Sequence, residues 1–189
     1  MYQEKSYVSQ CREMVKNQKW CEHSIYRKKV NSFFAKVKNW DGLVSFYNQV
    51  IELANMPEQY IKTLRLFEYS NYENLMFASF NKAKVETQKD STVKAIYFEY
   101  DDGQANFFLC QRYSNKGSDW ITYWHRSIEC PKLAVDVDLF ADDLSNFHQL
   151  LVTDYLNARV CVAVGKAING YSKVPVAMAE HDHSIVYLS

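Results

Sequence analysis

The chain has 189 residues, 48% of them hydrophobic and 23% charged. This composition excludes an intrinsically disordered chain, which needs low hydrophobicity and high net charge, and the length suits a single domain over 1–189 with a sizeable buried core. Lys plus Arg equals Asp plus Glu at 22 each, so the basic excess that nucleic-acid binders use to neutralise phosphates is missing. Zero net charge also opposes self-association only weakly, which leaves a homo-oligomer open.

No apolar run reaches the roughly 18 residues of a membrane span, and the first residues, Met1 to Tyr7, carry no apolar segment of an export signal. The five cysteines, Cys11, Cys21, Cys110, Cys130 and Cys161, are odd in number and match no disulfide spacing. They are expected as free thiols in a reducing cytoplasm. Five Gly and three Pro are too few for a flexible linker. The 14 Tyr, 11 Phe and 4 Trp favour a large core or a contact face, since aromatic rings supply area to both.

In chain order, residues 1–70 read as helical. Met14 and Trp20 dot a polar first helix. Ile25, Val30, Phe33, Phe34 and Val37 then recur at close to helical spacing. Asp41 is placed to cap a helix carrying Leu43, Phe46, Tyr47, Val50 and Leu53. Pro57 suits the first position of a further helix with Ile61, Leu64 and Leu66. Residues 75–140 read as mainly β, beginning with a strand over 75–87. Val93–Asp101 and Gln104–Tyr113 flank Asp102-Gly103, a two-residue hairpin signal. That turn pairs Phe98 with Phe107, Ile96 with Leu109, Tyr97 with Phe108 and Glu99 with Asn106, matching like with like. Strands Trp120–Ile128 and Leu133–Phe140 complete an antiparallel meander of four to five strands. Residues 142–189 read as a long helix opened by Asp142 and Asp143 and closed near Gly170, then a short hairpin of Val174–Ala179 and Ile185–Leu188. Over 158–168 the alternation of Val160, Val162 and Val164 fits a strand as well as a helix. The fold class is α+β.

Period-two alternation puts Ile96, Phe98, Phe107, Leu109, Ile121, Tyr123, Val135, Val137 and Leu139 on one sheet face, an ordinary core. The other face receives Tyr97, Glu99, Phe108, Cys110, Arg112, Trp120, Thr122, Trp124, Arg126, Asp136 and Asp138. Large aromatics with arginines and carboxylates are the composition of interface centres and ligand sites. The competing reading covers this face with a helix and leaves the charges at its rim.

Asp136 and Asp138, two apart on one strand with Glu99 nearby, form a candidate divalent-cation or acid–base pair; carboxylates paired with Arg112 or Arg126 account for them equally well. In Glu180-His181-Asp182-His183 an extended backbone projects His181 and His183 to one side, which suits zinc, though no zinc-motif spacing is present. Cys110 and His125 fall on opposite faces, against a Cys–His nucleophile. Gly165-Lys166 lacks the rest of a phosphate loop, and Tyr26-Arg27-Lys28-Lys29 reads as a solvated helix face.

The leading expectation is a non-catalytic cytoplasmic protein that binds a protein partner or small ligand, of the kind of a small bacterial immunity protein. A small enzyme or ligand-binding domain using the acidic and aromatic face is the alternative. No cofactor is expected, zinc at His181 and His183 being the exception to test. Membrane association is not expected, and nucleic acid is disfavoured.

Overall fold

A computed structural model of the chain describes residues 9, 13, 16–17, 23–101, 103–114, 116–135, 147–180 and 185–189. Met14, Trp20, Cys11, Cys21, Asp102, Asp136, Asp138, residues 137–146, His181 and His183 lie outside them, so the readings placed on these positions do too. The chain divides into two compact units, Met1–Glu68 with Val137–Val162, and Tyr69–Asp136 with Ala163–Ser189. Among the described residues no helix is long and apolar enough to cross a membrane.

The first unit is helical, as expected. Helix α1 spans His23–Lys36, α2 Trp40–Leu53 and α3 Glu58–Leu66. Helix α2 buries Leu43, Phe46, Tyr47 and Val50, the three- and four-residue steps of a single stripe. Its cap is Asn39 rather than Asp41: the Asn39 side-chain oxygen accepts from the Gly42 N–H at 3.0 Å, while Asp41 sits in the first turn, where the helix dipole favours it. Pro57 occupies the cap of α3 rather than its first helical residue, with φ −56° and extended ψ. Phe34 of α1 meets Phe46 at 6.2 Å between ring centroids.

Helix α5, Phe147–Ala167, contributes Tyr155 edge-on to Tyr47 and His148 stacked on Tyr60. It is buried from Leu150 to Gly165 except at Arg159, which is half-buried. A helix buried on nearly every side shows little amphipathic period, which is why Val160, Val162 and Val164 imitate a strand. The helix runs on through them, and Gly170 beyond it adopts φ +76°, the left-handed conformation that glycine takes without steric cost.

The second unit is a sheet with a helix on one face. Residues 75–87 belong to helix α4, Tyr69–Lys89, not to a strand. Its buried residues Tyr72, Met76, Phe80, Ala83 and Thr87 step by four, four, three and four, one helical stripe. The run Leu75-Met76-Phe77 obscures that period, because Phe77 is an exposed apolar residue at 54%. Strands β1 Ala95–Tyr100, β2 Ala105–Cys110, β3 Trp124–Glu129, β4 Val176–Glu180 and β5 Val186–Tyr187 are ordered β3-β2-β1-β4-β5.

The β1–β2 register is the one the sequence predicts: Phe98 opposite Phe107, Ile96 opposite Leu109, Tyr97 opposite Phe108, Glu99 opposite Asn106. The turn closes with the Asp101 N–H donating to the Gln104 carbonyl at 2.9 Å and with Gly103 at φ +84°. The sheet is not a pure meander. β4 lies beside β1 in parallel, Tyr97 opposite Ala177, and β5 returns antiparallel to it. On the first face Phe98, Phe107 and Leu109 are fully buried, and Phe80 of α4 meets Phe107 at 5.9 Å and Tyr171 at 5.3 Å.

Two further expectations change. Asp119–Thr122 is a 3-10 turn, so β3 starts at Trp124 instead of Trp120. The residues after β3 do not continue as a strand at Leu133: Pro131–Leu133 forms a second 3-10 turn, since proline cannot donate to a ladder. The Leu133 carbonyl accepts from the Tyr72 hydroxyl at 3.0 Å instead.

Candidate functional site

The candidate site is the second face of the sheet. Tyr97 and Phe108, on neighbouring strands, have stacked rings 6.1 Å apart. Trp120 meets Tyr97 edge-on at 6.1 Å, and Trp124 meets Phe108 at 5.2 Å. The four aromatics expected to gather do so, although Trp120 arrives from the 3-10 turn and not from a strand. Around them Ala95, Cys110, Ala177, Ala179 and Ile185 complete a buried cluster, with Ile121 and Tyr187 partly buried against it.

Among the described residues no helix seals this face, yet it is not fully open. The loop after β2 folds back on it. Tyr113 packs on Trp120 at 5.3 Å, and the Tyr187 hydroxyl donates to the Gly117 carbonyl at 3.0 Å, tying the loop down. Trp120 is thereby 3% exposed, and its indole N–H has no acceptor among the described residues. Outside this plug an aromatic rim stays in water: Trp124 is 49% exposed and Tyr123 44%. The Arg112 guanidinium lies 3.9 Å above the Tyr123 ring centroid, a cation–π contact that holds both side chains at the surface.

Three assignments differ from the sequence reading. Ile121, expected on the core face, packs against the second-face cluster, because the 3-10 turn breaks the strand alternation, and Tyr123, also expected there, is 44% exposed beneath Arg112. Arg126 belongs to the first face: it stands opposite Leu109 and pairs with Glu86 of α4. A shift in the β2–β3 register between Leu109 and Cys110 sets Trp124 opposite Cys110 and leaves His125 as the extra residue. His125 is 2.8 Å from Asp90, just past α4. The bulge thus turns the His125 and Arg126 side chains toward α4 and Asp90 and keeps Trp124 on the second face.

The ionisable groups here are structurally engaged. The Tyr97 hydroxyl donates to Glu99 at 3.0 Å; burial, and then the adjacent carboxylate, push its phenol up. Burial pushes the Cys110 thiol up to about 12, so it is a neutral thiol at physiological pH and a poor nucleophile. Asp90 is lowered to about 2, chiefly by hydrogen bonds from the Thr92 side chain and backbone, with His125 adding less. Cys110, Cys130 and Cys161 are free and buried. Among the described residues no group of three or more His, Cys, Asp or Glu side chains is placed to hold a metal.

Of the expected site residues, Tyr97, Glu99, Phe108, Trp120 and Trp124 share the second face, Arg112 stands at its rim, and Arg126 has left it. Sequence reasoning missed Tyr113, Tyr123, Tyr187 and Glu129. Glu129 stands opposite Asn106, which stands opposite Glu99, so the three form a polar row one end of the aromatic strip. A groove of about 310 Å³ opens beside it, lined by Gly103, Gln104, Ala105, Asn106, Glu129 and Pro131. The bulge was the missing signal for the strand positions, and the 3-10 turn for the rest. Comparison with protein families, with curated proteins and with solved structures finds no match.

Proposed function

We propose that the protein is a non-catalytic binding protein whose recognition surface is the exposed aromatic rim of the second sheet face, centred on Trp124 with Phe108, Arg112 and Tyr123. The observation that carries this reading is Trp124 itself, half in water yet packed on Phe108. An indole held in place by a ring beneath it loses little side-chain entropy on binding. Trp, Tyr and Arg dominate the energetic centres of interfaces, and all three stand together here. Association surfaces also use such rigid aromatics beside a few orienting polar groups, the part that Glu99, Asn106 and Glu129 take. A protein partner suits this rim better than a small ligand does, because Trp124 and Tyr123 stand half in water. A cytoplasmic setting fits the three buried free thiols.

The test is comparative capture from the native cell lysate, with wild type, Trp124→Ala, Tyr123→Ala and, as a control surface, Phe77→Ala on α4. A protein retained by wild type and Phe77→Ala but lost by both rim variants supports the reading. Equal capture by all four baits refutes it.

A further inference from the structure

Among the described residues strand β3 is an edge of the sheet, and its six residues are exposed or half-buried throughout. The direction of its backbone groups follows from one bond. The Cys130 N–H donates to the Ala105 carbonyl at 2.7 Å, and Asn106 stands opposite Glu129. In an antiparallel ladder the residues facing the partner alternate. Cys130, Ile128 and Arg126 therefore direct their backbone groups toward β2, while Glu129 and Ser127 direct theirs to the outer edge. Ser127 and Glu129 also lie on the second face, opposite Phe108 and Asn106. An added strand hydrogen-bonded to them would set its own side chains on that face, directly beside theirs.

The charges on β3 are unequal in their engagement. Arg126 is paired with Glu86 and His125 with Asp90. The Glu129 carboxylate is exposed and has no ion-pair or hydrogen-bond partner among the described residues, and it borders the 310 Å³ groove. We infer that the outer edge of β3 receives an extended segment of a partner protein, added as an antiparallel strand, with a Lys or Arg side chain opposite Glu129 and an apolar side chain toward Trp124. Backbone bonds give such an added strand its affinity, and side-chain sites on alternate residues give it specificity. A second copy of this chain fits less well. A two-fold pairing centred on Ser127 sets Glu129 opposite His125, whose imidazole is already held by Asp90, so the free carboxylate gains no new cation.

This inference rests on the recognition-surface reading and is tested separately from it. The probe is a fluorescein-labelled decapeptide whose alternate residues are Lys in its N-terminal half and Val in its C-terminal half, with Thr between them (the Lys–Val peptide), so that Lys and Val share one face; its partner carries Glu in place of Lys (the Glu–Val peptide), and both are followed by fluorescence anisotropy. The Lys–Val peptide is expected to bind, more weakly as salt rises, and the Glu–Val peptide is not. Glu129→Lys should weaken binding at least about fivefold, as loss and reversal of a surface charge pair does. Ser127→Pro, which deletes an outward N–H without touching the bonds to β2, should weaken it as much. Both variants should keep the wild-type melting temperature to within a few degrees. Binding of both peptides alike, wild-type affinity in either variant, no binding of either peptide at about 1 mM, or a sedimenting dimer dissolved by Ser127→Pro each overturns the inference. If the lysate partner is lost by Trp124→Ala yet retained by Ser127→Pro and Glu129→Lys, the aromatic rim stands and the edge-strand inference falls. If the Lys–Val peptide behaves as expected while Trp124→Ala keeps every captured protein, the reverse holds.

Discussion

Replacing Trp124 by Ala separates a surface tryptophan from a core one. A tryptophan side chain buries up to about 250 Å² when enclosed. Trp124 is 49% exposed, so roughly 120 Å² is at stake, and Ala keeps part of it. At about 25 cal/mol per Å², reduced for the compactness of the unfolded chain, the change costs about 1–2 kcal/mol, including the ring contact with Phe108. Phe98, fully buried between α4 and the sheet, should cost about 3–5 kcal/mol when cut to Ala. Urea unfolding followed by far-ultraviolet circular dichroism measures both without relying on tryptophan emission. Trp124→Ala should lower the midpoint by less than half the shift seen for Phe98→Ala, with an unchanged m-value. Equal losses would falsify the exposed rim: Trp124 would then be a core residue, and the proposed surface would not exist. A loss near 1–2 kcal/mol together with loss of the captured partner is the expected pair of results.

Gly103→Val should destabilise the protein by about 1–2 kcal/mol, because the position needs positive φ and a side chain there is strained although nothing lies within 4 Å of it; Gly103→Asn should recover most of the loss in the same thermal melts. Cys110, Cys130 and Cys161 should resist a thiol reagent at pH 8 and react fully in denaturant, since they are buried and burial holds Cys110 and Cys161 up to about 12; peptide-resolved mass spectrometry reads each site, and rapid native labelling of Cys110 would contradict the packing around Trp120. The Asp90 carboxyl carbon should titrate near pH 2 by NMR, below its value in an unfolded chain. A depressed folded pKa stabilises above the unfolded pKa and is lost as pH falls through the folded one, so Asp90 supports the fold at neutral pH, and that support declines below about pH 4 and is gone below about pH 2. Thr92→Ala should raise that midpoint more than His125→Ala does, because the bonds from Thr92 are the larger cause.

Local patterns alone carried a good part of this protein. The Asp102-Gly103 signal set the β1–β2 register residue by residue, because side-chain alternation makes any one-residue slip exchange the faces. The α2 stripe and the left-handed Gly170 were legible because each depends on a few neighbouring residues. Helix α4 was not. Its stripe of Tyr72, Met76, Phe80, Ala83 and Thr87 becomes visible only when exposed Phe77 is set aside, and burial is a tertiary property. Helix α5 was legible as one long helix, but its burial on nearly every side weakens the period and let Val160 to Val164 fit a strand as well.

The site shows the division most plainly. The sequence by itself determined that Tyr97, Phe108, Trp120 and Trp124 belong together, since pairing and residue type suffice for that. Only the tertiary structure decided which of them meet water. The loop that returns over Tyr97 buries Trp120 and leaves Trp124 out, while the bulge before Arg126 hands that arginine to Glu86 on α4. β4 enters beside β1 in parallel, and among the described residues β3 is left as an edge with Glu129 unpaired. Each of these outcomes depends on contacts between residues far apart in the chain, and no local period encodes them.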